Sequence, residues 1–121
     1  MSNQAFNPQT ATSVRAVTAT STAVPDVAMS PAPSAAQASL LAPLDYRFTV
    51  VGTQPVFIAY ALPGLAAPNA SIPADSATGS VLVIESQKSY TFQFPYGTKF
   101  AVIAPATGST VYVTAGTGIA L

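Results

Sequence analysis

The sequence predicts an all-β fold, a small antiparallel β-sandwich or jelly-roll-like domain that carries an extended N-terminal arm. Three observations carry this. Beyond residue 44, runs of β-branched and aromatic residues recur at roughly ten-residue spacing with Gly- and Pro-bearing turns between them, the pattern of sandwiches and small barrels. No helical periodicity alternates with those runs, so the rhythm of a parallel βαβ sheet is missing. Before residue 44 the chain is rich in Ser, Thr, Ala and Pro and poor in charge, a composition that does not build a core alone. The expected division is an arm and linker over residues 1–44 and an antiparallel β domain over residues 45–121.

Residues 1–24 hold few large apolar side chains apart from Phe6, Val14, Val17 and Val24, and their Thr content favours extended backbone. Residues 13–20 predict one strand. Val14, Ala16, Thr18 and Thr20 fall on one side and Arg15, Val17 and Ala19 on the other, so neither face is cleanly apolar and the strand reads as an edge or an added one. Residues 25–43, PDVAMSPAPSAAQASLLAP, read as an irregular, partly polyproline-like connector. Within it Ser34 can cap a short helical turn over residues 34–41, where Ala is a strong helix former.

From residue 46 the punctuation becomes regular. Tyr46, Phe48 and Val50 alternate with Arg47, Thr49 and Val51, and Gly52 and Thr53 separate them from residues 55–60, which reads as two strands joined by a tight turn. Residues 62–69 and 75–80 are loops by their Pro and Gly content. Strands follow at 81–85 and 89–94. In the second, Tyr90, Phe92 and Phe94 share a face opposite Thr91 and Gln93, which assigns Tyr90 to the core. Pro95 to Thr98 supply a turn, residues 99–104 a strand, residues 105–109 a turn, and residues 110–114 the last strand.

Composition excludes several functions. The 121-residue chain is 50% hydrophobic and 7% charged with no net charge, against about one-quarter charged for ordinary soluble domains. Neutral surfaces associate. A β domain beginning at residue 45 lies in the range where folding buries only about 60% of the unfolded surface, so burial against a partner would support a marginal core. The chain has no Cys and no His, which removes disulfides, thiolate and imidazole zinc sites, His-based triads and His proton shuttles. Arg15, Arg47, Lys88 and Lys99 stand singly among Asp26, Asp45, Asp75 and Glu85, so no basic stripe exists for nucleic acid. The charge-free stretch 48–74 is interrupted by Pro55, Pro63, Pro68 and Pro73 and is not a membrane helix. Ala36-Gln37-Ala38 resembles a cleavage site, but no basic and then apolar region precedes it, so no secretory signal is expected.

Catalysis has little to work with. The four carboxylates read as turn and strand-end positions, no His activates a Ser or Thr, and neither Lys88 nor Lys99 lies in a Ser-x-x-Lys arrangement. Gly108, Gly116 and Gly118 open no helix and read as turn residues rather than a phosphate cradle. No catalytic residue, cofactor site or metal site is expected. Among the tyrosines, Tyr96, in a Pro-Tyr-Gly turn, is the expected exposed ring and the one support for a carbohydrate-binding module. The arm carries the sharper expectation: extended backbone that adds to a neighbour's sheet edge, with Phe6, Val14, Val17 and Leu40 as anchors.

The order Pro55-Val56-Phe57-Ile58-Ala59, then Ser89-Tyr90-Thr91-Phe92, Gly97-Thr98-Lys99-Phe100-Ala101-Val102-Ile103-Ala104 and Gly108-Ser109-Thr110-Val111-Tyr112-Val113-Thr114 resembles small accessory proteins of tailed bacteriophage particles. The resemblance spans residues 45–118, with Ala61 where a Gly commonly stands and Thr117 where an acidic residue does. It implies a non-enzymatic capsid decoration or cement subunit on the virion exterior, bound to the major capsid protein or other virion proteins. A homo-oligomer, dimer or trimer, is the expected state. A head-fibre, tail or adaptor component is the alternative. On this reading, deleting residues 1–44 leaves a folded β domain that no longer attaches.

Overall fold

The computed structural model describes residues 7, 8, 10–27, 29, 34, 36, 37 and 43–117. Within them the chain forms nine strands: β1 (Asn7–Pro8), β2 (Ser13–Val17), β3 (Thr22–Ala23), β4 (Leu44–Gly52), β5 (Val56–Ala61), β6 (Leu82–Ile84), β7 (Ser89–Phe94), β8 (Lys99–Ile103) and β9 (Ser109–Thr117). All pairings are antiparallel. The first sheet runs β9-β4-β7, with β1 and β2 end to end along the other edge of β9. The second runs β3-β8-β5-β6. The domain is all-β, two antiparallel sheets packed face to face.

Period-two alternation decides which side chains meet between the sheets. From the first sheet, Leu44, Tyr46, Phe48 and Val50 of β4 and Val111, Val113 and Ala115 of β9 are buried; from the second, Val56 and Ile58 of β5, Ile84 of β6 and Phe100 and Val102 of β8 meet them. Aromatic rings lock the layers. Phe100 stands edge-on to Phe48 at 5.0 Å, to Phe94 at 5.2 Å and to Tyr46 at 5.3 Å, the arrangement that ring quadrupoles favour.

The boundary expected between residues 44 and 45 falls inside β4, and the described residues 13–27 before it pack into the sandwich. Ser13 to Val17 pair with Val113 to Ser109, and Thr22 and Ala23 pair with Val102 and Ala101. Val17, Val24 and Val27 join the one hydrophobic core. The reason is physical: without β2 and β3, the backbone groups along one edge of β9 and of β8 would lie open beside buried valines. β2 is an edge strand, as its mixed alternation indicated. The helical turn expected over residues 34–41 is described only at Ser34, Ala36 and Gln37. There Gln37 Oε1 accepts from the Ser34 N–H at 2.9 Å and Ser34 Oγ accepts from the Gln37 N–H at 3.2 Å, a reciprocal cap.

A second departure concerns residues 46–60. The tight turn after β4 is present, but β4 and β5 belong to different sheets, so it is a corner and not a hairpin. Gly52, at φ +136°, turns the chain out of the first sheet. Buried Ser109 holds the corner: its Oγ accepts from the Gln54 N–H at 2.8 Å and donates to the Gln54 carbonyl at 2.7 Å. The Thr53 N–H donates to the Gly108 carbonyl at 3.2 Å.

Tyr46 links this core to the β7–β8 turn, its hydroxyl donating to the Pro95 carbonyl at 3.4 Å. Burial pushes its pKa from 10.0 up to about 12, with the Gly97 backbone opposing and neighbouring Tyr96 adding to the rise. A raised phenol pKa means that the folded state holds the proton more tightly than the unfolded chain. The stability it contributes is therefore complete below pH 10 and is lost as pH climbs toward 12. Tyr46→Phe is expected to flatten the fall in urea-unfolding stability over that interval, and an unchanged fall would assign the alkaline loss to other groups.

Candidate interaction surface

Residues 62–81 connect β5 to β6 by a long excursion across the outer face of the second sheet. The Leu65 N–H donates to the Leu62 carbonyl at 3.1 Å and starts the turn away from β5. Midway, the Ala70 N–H donates to Ser21 Oγ at 2.8 Å, which pins the loop to the connection between β2 and β3. The Ser80 N–H bonds the Ser71 carbonyl at 2.9 Å and Ser80 Oγ accepts from the Ser71 N–H at 2.8 Å, closing residues 71–80 into a lobe. Ala70 is buried, and so is Ala101 of β8, although alternation with Phe100 and Val102 turns Ala101 away from the core.

Between this loop and the end of β5 lies an open cleft of about 650 Å³, lined among others by Tyr60, Leu62, Leu65, Asn69, Ser80 and Val81. None of its lining residues is charged. Leu65 and Val81 are 59% and 64% exposed, and Val83 of β6, two residues after Val81, is exposed on the same outer face opposite Phe57. Large aliphatic groups held this open by a hydrogen-bonded loop form a surface suited to apolar contact. Sequence reading missed this surface: the charge-free stretch 48–74 serves there only to exclude a membrane helix and residues 62–69 read only as a loop, although Leu62 and Leu65 in a Pro/Gly loop are a signal that could have found it.

The expected anchors do not assemble into one site. Val17 is 1% exposed and its side chain is spent inside this chain's own core. Val14 is exposed on the outer face of the first sheet, opposite exposed Tyr112. Phe6 and Leu40 lie outside the described residues. Tyr96 is not an exposed platform either: its ring packs against the core and its hydroxyl accepts from the Met29 N–H at 3.1 Å. Tyr90, expected in the core, is 41% exposed, because β7 is an edge strand and its ring stands at the open side of the sandwich.

Asp26, Asp75 and Glu85 are exposed, and Asp45 is buried with no donor to Oδ1 among the described residues. No three metal-ligating side chains of the described residues come together. No helix of the described residues is long and apolar enough to cross a membrane. The chain matches no protein-family model, no curated protein and no solved structure.

Proposed function

We propose that this protein is a non-enzymatic structural subunit of a phage virion, a decoration or cement protein that binds the major capsid protein on the outside of the shell. The observation that carries the reading is the strand order. Only the connections β1–β2 and β5–β6 stay within a sheet; the other six cross between sheets. With β2-β9-β4-β7 facing β3-β8-β5-β6, this supports reading the sandwich as a jelly roll, the eight-stranded double Greek key used by viral capsid domains, lectins and cupins. Fold alone does not choose among these. The neutral, charge-poor chain and the apolar cleft favour the assembly role, in which modest contacts repeated over a shell add burial without strong individual affinity.

The arm mechanism changes accordingly. Residues 13–27 are occupied within the chain's own sheets, so attachment is assigned to the outer face around Leu65 and Val81. Each such side chain contributes about 1.5–3 kcal/mol on full burial. The double variant Leu65→Asp, Val81→Asp is expected to keep the wild-type circular dichroism and to lose shell occupancy at least about tenfold. Full occupancy by the folded variant would remove this surface from the account. A head-fibre or tail position uses the same surface at lower copy number.

A further inference from the structure

We infer that β7 is a self-pairing edge: two copies of this chain join through antiparallel β7–β7 contact, which extends the first sheet across a two-fold axis. Natural sheets protect their edges with short strands, charges or Pro. The other edges here follow that rule. β1 is two residues long and contains Pro8, β3 is two residues, β6 is three, and β2 carries Arg15. β7 does not. It is six residues long, SYTFQF, with neither a charge nor a Pro, and among the described residues it pairs only with β4.

Its hydrogen-bonding groups are set for a partner. The Val50 N–H donates to the Lys88 carbonyl at 2.9 Å. Carrying the antiparallel alternation along the register Thr49↔Ser89, Arg47↔Thr91, Asp45↔Gln93 turns the backbone N–H and C=O of Ser89, Thr91 and Gln93 away from β4, toward the free edge. A strand in this state is a template for strand addition.

The occupant is a second copy because the strand is complementary to itself. A two-fold axis perpendicular to the sheet keeps each face on its own side. Centred on Thr91, it sets Thr91 against Thr91, Tyr90 against Phe92 and Ser89 against Gln93, so rings meet rings and uncharged polar side chains meet uncharged polar side chains. With no charge on β7, the juxtaposition carries no like-charge penalty. Tyr90 is the exposed ring that this pairing covers, with half-buried Phe92 behind it. The short connection 85–88 places the edge of β6 on the same side of the sandwich, so both layers approach the partner. A two-fold contact of this kind is isologous and closes at two copies.

Sedimentation equilibrium of the full chain, from micromolar to millimolar concentration, tests this. A monomer–dimer equilibrium is expected, and Thr91→Lys, which sets two cations opposite each other on the axis, is expected to weaken it at least about tenfold while keeping the near-ultraviolet spectrum of the dilute wild-type monomer. Thr91→Pro, tolerated at an edge whose N–H faces outward, is expected to do the same. A readout on the unaltered protein stands beside these should either variant fold poorly. Hydrogen exchange at Ser89, Thr91 and Gln93 is expected to slow at least about tenfold in the dimer, whereas the inward amides of Tyr90 and Phe92 are already protected by β4. A wild-type monomer at every concentration, open-ended aggregation, dimerisation unaffected by folded variants, or exchange at these three amides that ignores concentration would each overturn the inference.

Discussion

A chain beginning at Asp45 is expected not to fold. The truncation removes β2 and β3 and leaves one backbone edge of β9 and of β8 open. It also removes Val17, Val24 and Val27 from the core. Each contributes about 1.5–3 kcal/mol on burial, and together they rival the roughly 5–15 kcal/mol of a whole domain. A chain beginning at Thr12 keeps β2 and, among the described residues, loses only β1 with the Thr10 contacts to Ala115, so it is expected to retain cooperative unfolding. Urea titration followed by near-ultraviolet circular dichroism separates the two. A cooperative transition in the chain beginning at Asp45 would show that the first strands are dispensable, as the composition alone suggested.

The second large effect is expected at the corner between the sheets. Gly52 sits at φ +136°, where side chains bearing Cβ are strained, and a Cβ there would collide with the Gly108 carbonyl oxygen and the Ser109 backbone. That backbone is held, because the Ser109 hydroxyl bonds both the backbone N–H and the C=O of Gln54 and Ser109 pairs with Val17 of β2. Gly52→Ala is therefore expected to lower stability by about 2–4 kcal/mol. Gly64, at φ +86°, has nothing of the described residues within 4 Å of the same added atom. Gly64→Ala serves as the comparison, costing about 1 kcal/mol for conformation alone. Equal losses from the two substitutions in urea unfolding would mean that the corner yields.

Local pattern found the strands and missed their neighbours. The runs at residues 46–51, 55–60, 89–94 and 99–104 were legible because alternation and turn residues act within a few positions. Which sheet each strand joins was not, since the turn at Gly52 reads the same whether it closes a hairpin or a corner. The arm misled for a related reason. Short strands such as β2, with Arg15 between its two valines, and the two-residue β3 show no clean apolar face of their own, and they gain stability from the edges of β9 and β8, formed by residues roughly 80 to 100 positions away. Tyr90 was misplaced because alternation gives the face of a strand and not its distance from the sheet's centre. The cleft was missed: the charge-free stretch was visible, but its shape depends on Ala70 reaching Ser21, a contact without a local signature.

If this sandwich decorates a shell, as proposed, the number of copies that bind each particle is the decisive quantity. Purified full-length protein, co-sedimented with assembled shells from the same source, is expected to saturate at hundreds of copies per particle. Shells that pellet without it at saturating concentration would contradict the account.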